Sequence, residues 1–378
     1  MKICMLVTNS LVKDPRVQRE AIFAHNAGHE VIVVGVWDKN YSEEFYSNLP
    51  YKVEICPFDP RYREQLFAFA DKVKRFILPI IKMIKVCKSL QPDVIHANDF
   101  DTLPAAFFAA KKIKRCHVHY DSHEIYSGNP TLVSHPLLRR VLLASEKFIV
   151  KRIDTVSSVS NAAADKLAEL FNSTRPTVVT NCSYYVEKDQ LPQKSDIFDV
   201  LYQGRITPFR GYEEFVAAAE FIPKGVNLLV RGYGETKDKL LKMVEERNFE
   251  NVFFPDPVPI SELIPCAARA SVGVILTKPV SDNYKYTVSN KVFECIQARI
   301  PVILSDVPEH RFLNETYHIG IIVDDVTPQK IAESILKMYN DNLFYDECLH
   351  NVDAAAAILC WEREGEKLLD CYKSIRKD

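Results

Sequence analysis

Short, nearly unbroken apolar runs alternate with amphipathic stretches along almost the whole chain. Candidate strands fall at residues 2–7, 31–36, 93–97, 116–120 and 155–160. A second series falls at 199–203, 227–230, 252–254, 272–276, 301–304 and 320–323. Helical patterns stand among them at 17–27, 212–221, 237–247, 291–298 and 328–339. A strand that is apolar on both faces must be covered on both, and a helix after each strand does this. The pattern therefore predicts an α/β fold with parallel, doubly wound sheets.

The series breaks once. Residues 187–196 (EKDQLPQKSD) are polar, contain a proline and carry no periodicity, which reads as a linker. The 378 residues also exceed one ordinary core. We therefore expect two Rossmann-like domains, at 1–190 and 197–352. A helical tail at 353–378, anchored by Trp361, Leu368 and Leu369, is expected to pack back on the first domain. Two such domains would face each other across a cleft. Ligands of such sheets bind at the carboxyl ends of the strands, so the strand-to-helix turns are where function should lie.

Composition excludes several classes. The chain is 47% hydrophobic and 26% charged, with a net charge of −2, which argues against a nucleic-acid partner. Its ten cysteines include no C-x-x-C pair, a usage that fits buried free thiols in a reducing compartment rather than zinc or disulfides. No apolar run approaches the ~18 residues of a membrane span, and no secretory signal opens the chain, so a cytoplasmic protein is expected.

One stretch is strongly basic. Residues 61–90 hold eight Lys/Arg and two acids. Within it Lys82, Lys85 and Lys88 fall on one helical side, with Ile80, Met83, Ile84 and Cys87 on the other. Two readings stand: a packed helix with a solvated lysine face, or peripheral docking on anionic membrane. Pro79 is expected to divide the segment into two helices.

The most informative motif follows the linker. Residues 199–211 read DVLYQGRITPFRG. A strand ends at Gln203, Gly204 permits a tight turn, and Arg205 emerges at the strand's carboxyl end. Arg210 and Gly211 come just before the next helix. Two guanidinium groups on one short loop suit an anion, because arginine is always charged and binds phosphate oxygens bidentately. Two exposed surface arginines would read the same way in isolation.

The pattern Gly-Arg-Ile/Leu-x-x-x-Lys/Arg-Gly opening a second domain resembles glycosyltransferase family 4, whose fold is the two-Rossmann GT-B type. Other stretches match in order: DPRVQREA at 14–21, PDVIHANDFDTL at 92–103, YDSHE at 120–124, RGYG at 231–234, and NKVFECIQARIPV at 290–302. The resemblance implies that the first domain binds the acceptor and the second the nucleotide-sugar donor. It implies that Arg205 and Arg210 contact the donor diphosphate. Glu294 would accept hydrogen bonds from ribose hydroxyls, a suitable use of an acceptor-only carboxylate. The amides of Ser289, Asn290 and Lys291 would face the phosphates as a helix N-terminus does. Lys291 adds charge there or is a surface lysine. Gly232 and Gly234, with Gly204, would let the backbone approach the nucleotide. His123 is either a structural histidine or a group that bonds a hydroxyl of the transferred sugar.

The chain also departs from the family pattern. Tyr286 stands where a second glutamate is common, eight residues before Glu294. Residues 8–14 (TNSLVKD) lack the usual glycines. The pair Asn181–Cys182 replaces the usual Asn-Gly.

The implied reaction is retaining; no Asp/His cluster in the sequence suggests a metal, so metal-independent chemistry with no cofactor is expected. Arginines would stabilise the charge that grows on the leaving phosphate, and that phosphate would help to deprotonate the acceptor. A glycan or a lipid-linked acceptor in surface polysaccharide synthesis is the setting the resemblance implies. Rival readings are a nucleotide-sugar epimerase, a phosphorylase-like enzyme, or a non-catalytic nucleotide-sugar binding protein.

Overall fold

The computed structural model describes residues 1–56 and 69–375. Two compact units divide these residues. One comprises Met1–Thr180 together with the chain from Gly365 onward, and the other comprises Asn181–Glu364.

The first unit holds a seven-stranded parallel sheet. Its strands are β1 (Lys2–Leu6), β2 (Glu30–Val36), β3 (Lys52–Cys56), β4 (Val94–Asn98), β5 (His117–Ser122), β6 (Thr155–Ser158) and β7 (Thr177–Val178). Their order across the sheet is β3-β2-β1-β4-β5-β6-β7. The central β1 and β4 are buried nearly throughout, as their continuous apolar sequences require. At the edge, β3 (KVEIC) alternates between polar and apolar residues and is only partly buried. The sheet order reverses between β1 and β4, the place where such sheets leave a crevice.

The second unit repeats this plan with six parallel strands: β8 (Phe198–Gln203), β9 (Val226–Arg231), β10 (Val252–Phe253), β11 (Val272–Ile275), β12 (Val302–Ser305) and β13 (Gly320–Val323). Their order is β10-β9-β8-β11-β12-β13, so its reversal lies between β8 and β11. Apolar residues pack on both faces of the sheet. Tyr202, Phe215 and Leu240 lie in one cluster, and Leu201, Phe293 and Ile296 in the other.

Local signals set the helix starts. Asp14 accepts from the Val17 N–H before the helix Pro15–Asn26, which begins with proline. Ser160 caps Asn161–Phe171 through the Ala163 N–H at 3.1 Å. Thr327 does the same for Pro328–Asn340.

Three boundaries differ from expectation. The units part at Thr180, ahead of the polar stretch, because residues 183–188 are bonded into the second unit. Arg299 donates to the Val186 carbonyl at 2.8 Å, Lys188 pairs with Asp353, and the Trp361 N–H donates to the Ser183 carbonyl. Residues 353–364 also belong to the second unit, and the change comes at Gly365 within the helix Trp361–Ile375. There the helix passes close to Pro15–Asn26: a Cβ on Gly365 would stand 2.6 Å from the Phe23 ring, which would have to shift.

The third difference concerns Pro79, which lies inside one helix, Phe69–Leu90, rather than between two. Proline removes a single N–H donor, and burial of Met83 and Cys87 holds the helix on the unit's core. The sequence-level membrane stretch begins at residue 61, and its part before 69 lies outside the described residues. The ten cysteines are thiols rather than disulfides, and eight of them are buried. Among the described residues, no helix is long and apolar enough to cross a membrane.

Candidate functional site

In the second unit the chain leaves β8 through Gly204, at φ +119°, and re-enters a helix, Tyr212–Ala217, through Gly211 at φ +67°. Between them Phe209 adopts φ +63°, an uncommon conformation for a bulky residue. The Tyr202 ring beneath this loop stacks on Tyr212 with centroids 3.9 Å apart. Its hydroxyl donates to the Arg210 carbonyl and accepts from the Leu276 N–H at 3.1 Å. The loop is thereby tied to the end of β11.

Arg210 is placed from both sides. Its guanidinium donates to Thr277 Oγ1 at 2.9 Å and lies over the Tyr284 ring at 4.5 Å. Arg205 on the same loop is exposed, with no hydrogen bond or ion pair to another described residue. A third cation closes over the turn. The Lys291 side chain lies across Gly204, where a Cβ would meet its Cε at 2.2 Å. Burial, and next the Arg210 charge, bring the Lys291 amine down to about 8.

Lys291 opens the helix Asn290–Gln297. Ser289 at its cap makes no side-chain cap bond, so the first amides are left to a ligand or to water. One turn on, Glu294 receives a hydrogen bond from Gln203 Nε2 at 3.1 Å. The turn after β9 is pressed against this loop. A Cβ at Gly232 would lie 1.9 Å from the Gly204 carbonyl oxygen, and one at Gly234 would lie 1.9 Å from that of Ile206. These two glycines are therefore needed for backbone-to-backbone packing that shapes the arginine loop.

The first unit carries a different cluster, at the carboxyl ends of β4 and β5. His123 Nε2 lies 2.9 Å from Asp121 and its Nδ1 lies 3.2 Å from Asp99. Asp99 also accepts from the His123 backbone N–H. Burial alone would lower the imidazole pKa, but the two carboxylates raise it well above its usual range. Asp121 is in turn bound by Arg16 at 2.6 Å, and Arg16 lies 3.0 Å from Glu20. Burial raises Asp121, but Arg16 and then His123 outweigh it and hold the group well below the usual carboxylate range. Glu20 is pushed up by burial to about 8.

Glu20, His96 and Asp121 come close enough to share a cation. This grouping was invisible in the sequence, where the three are far apart. Arg16 lies against both carboxylates, 3.0 Å from Glu20 and 2.6 Å from Asp121, and places a positive charge there. Burial, and then His119, hold His96 well below its normal range.

Residues 17–182 match the model of the family described as Glycosyltransferase Family 4, and residues 197–341 match that of Glycosyl transferases group 1. The chain belongs to glycosyltransferase family 4. It is similar to a glycogen synthase of Moorella thermoacetica, with 27% identity over 42% of this chain and 34% of that protein. The matched region thus spans about a third of that relative's length. An alpha-D-kanosaminyltransferase of Streptomyces kanamyceticus is 21% identical over 68% of this chain and 70% of its own. Among solved structures, Anabaena Alr3699/HepE in complex with UDP and glucose has a TM-score of 0.75 at 15% identity. That likeness covers 99% of this chain and 100% of the other, and it shows the GT-B fold.

In this family 4 glycosyltransferase, Gly204, Arg205, Arg210, Gly232, Gly234, Ser289, Asn290, Lys291 and Glu294 all belong to the second unit. His123 belongs to the first. Sequence reasoning missed Gln203, Thr277 and Tyr284, which position the glycosyltransferase's charged residues. It also missed Arg16 and Glu20, although their i, i+4 spacing in DPRVQREA was a usable signal for an ion pair on one helix face.

Proposed function

We propose that this glycosyltransferase moves a sugar from a nucleoside-diphosphate sugar to a glycan or lipid-linked acceptor, with retention of configuration, without a metal and without a cofactor. One observation carries the reading: Arg210 and Lys291 stand close together at the turn after β8, which also carries the exposed Arg205, beside the N-terminus of the Asn290–Gln297 helix. Three cations and free amides match a diphosphate whose charge grows as the anomeric bond breaks. Such fixed charge performs the neutralisation that a divalent ion otherwise supplies. Glu294, which Gln203 holds by a hydrogen bond, is assigned the ribose hydroxyls, a use that suits an acceptor-only carboxylate.

His123 is assigned to a sugar hydroxyl at its Nδ1 edge. Its Nε2 is committed to buried Asp121, whereas the Asp99 contact is longer and more open. The HepE complex contains UDP and glucose, which makes a UDP-sugar the first donor to test. Surface polysaccharide synthesis at the cytoplasmic face of a membrane is the proposed setting. The helix Phe69–Leu90, with Lys85 and Lys88 exposed, is the proposed peripheral contact.

A thermal-shift series with UDP, GDP and ADP and their sugars tests the donor assignment. Ligand bound to the native state raises the melting temperature by mass action. Product analysis with the best donor then tests transfer and stereochemistry. No shift with any nucleotide, or an inverted product, would overturn the corresponding part.

A further inference from the structure

The helix Pro136–Val150 turns an apolar stripe outward. Leu137 is 76% exposed, Val141 65% and Phe148 50%. With Ala144, also exposed, they fall within about 60° of one another around the helix, given 3.6 residues per turn. The opposite side is the packed one: Ile149 and Val150 are buried, and Glu146 receives the Tyr120 hydroxyl at 2.7 Å. A surface helix ordinarily shows the reverse, with polar residues facing solvent.

Cations predominate around this stripe, and the exposed acid just beyond it, Asp154, is already met by His117 at 2.8 Å. Glu146, the only acid among residues 136–152, faces inward. Arg140, Lys151 and Arg152 are exposed, and the Arg152 guanidinium lies 3.8 Å from the centre of the Phe148 ring. Phe148 meets Phe107 of the neighbouring helix Leu103–Ala110 at 6.3 Å, and Lys111 lies over Phe107 at 4.1 Å. That neighbouring helix runs into the turn 111–115 (KKIKR), where Lys111, Lys112, Lys114 and Arg115 are all exposed. No acid occurs in residues 103–115. Seven exposed cations therefore stand on this helix, the two residues after it and the turn that follows the neighbouring helix, on a chain whose net charge is −2.

We propose that the outer face of the Pro136–Val150 helix, with the basic turn 111–115, docks on the surface of an anionic lipid bilayer. Leu137, Val141 and Phe148 enter the acyl boundary, while the long cationic side chains remain at headgroup level. A second copy seated symmetrically on this face would oppose like charges, so lipid is the occupant that the charge pattern favours. The inference deepens the membrane part of the proposed function and is independent of the donor site.

The test is flotation of the full chain with vesicles of phosphatidylglycerol mixed with phosphatidylcholine, and with phosphatidylcholine alone. The expected result is binding to the anionic vesicles only, weakened by salt. Leu137→Glu with Val141→Glu, or Lys111→Glu with Lys112→Glu, should lower partitioning by roughly tenfold or more. These positions are exposed, so the melting temperature and its shift with nucleotide should be unchanged. Lys85→Glu with Lys88→Glu separates the Phe69–Leu90 helix from this face. Equal binding to neutral vesicles, wild-type flotation of both double variants, or loss only in the Lys85/Lys88 variant would overturn the proposal. So would a dimer in size-exclusion chromatography that Leu137→Glu dissolves.

Discussion

His123 meets Asp121 at 2.9 Å, Nε2 to Oδ2, on the buried side of its ring. Asp121 is already fixed by Arg16, so the imidazole is braced from beneath while Asp99 closes its more open side. Such a ring carries charge at neutral pH and donates rather than accepts.

This charge is measurable. The folded pKa of His123 lies well above the unfolded value of about 6.5. The contact therefore adds stability that is complete below about pH 6.5 and is lost as pH rises through the folded value. Histidine NMR should show His123 protonated at pH 7.5. In Asp99→Asn its titration should fall toward the ordinary range, and the stability difference from wild type should shrink at high pH. An unshifted His123 in wild type would refute the clamp.

Arg205 has no partner among the described residues, so its removal should cost the fold less than about 0.5 kcal/mol. Turnover is another matter. Arg205→Ala should lose on the order of 10²–10³-fold, the scale of removing one charge-stabilising donor. A folded variant with near-normal turnover would sink the assignment of the diphosphate grip.

Lys291 sets a pH limit on nucleotide binding. Its amine is brought down to about 8, and a diphosphate prefers the protonated form. Affinity for the nucleoside diphosphate should therefore weaken as pH rises through about 8. Calorimetry on Lys291→Met should show weaker binding with that dependence removed. For the fold the sign is opposite: burying the charged amine is unfavourable, so stability rises as pH moves from about 8 toward the unfolded value.

Two glycine substitutions separate crowding from strain. Gly232→Ala drives a Cβ to 1.9 Å from the Gly204 carbonyl oxygen, backbone that cannot turn aside. It should cost roughly 3 kcal/mol or more and distort the arginine loop. Gly28, at φ +84°, has nothing within 4 Å of its Cβ position. Gly28→Ala should cost only about 1 kcal/mol. Denaturant melts of both variants check the contrast.

Two of the strands were hard to read in sequence for a physical reason. β3 is half-exposed and alternates, while β7 has two residues, so neither forms the apolar run that marks a buried strand. In the second unit the arginine loop could be located in sequence because its turn glycines and charges span only residues 204–211. In the first unit His123 could not be read alone. Its partners are Asp121 on β5 and Asp99 just past the end of β4, and Arg16 of helix Pro15–Asn26 binds Asp121 in turn, an arrangement that only the pairing of β4 with β5 and the packing of that helix bring together.

By itself the sequence determined what depends on neighbours along the chain. It fixed the strand–helix alternation, the parallel doubly wound class and the arginine loop, because periodicity, turn glycines and short charged motifs act over a few residues. Only tertiary structure decided where the units part, since that depends on bonds such as Arg299 to the Val186 carbonyl. It alone decided that Lys291 lies over Gly204, that Gly232 is crowded by backbone, and that Glu146 turns inward, leaving Leu137 and Val141 in solvent. Those are through-space contacts and burial, and no local pattern carries them.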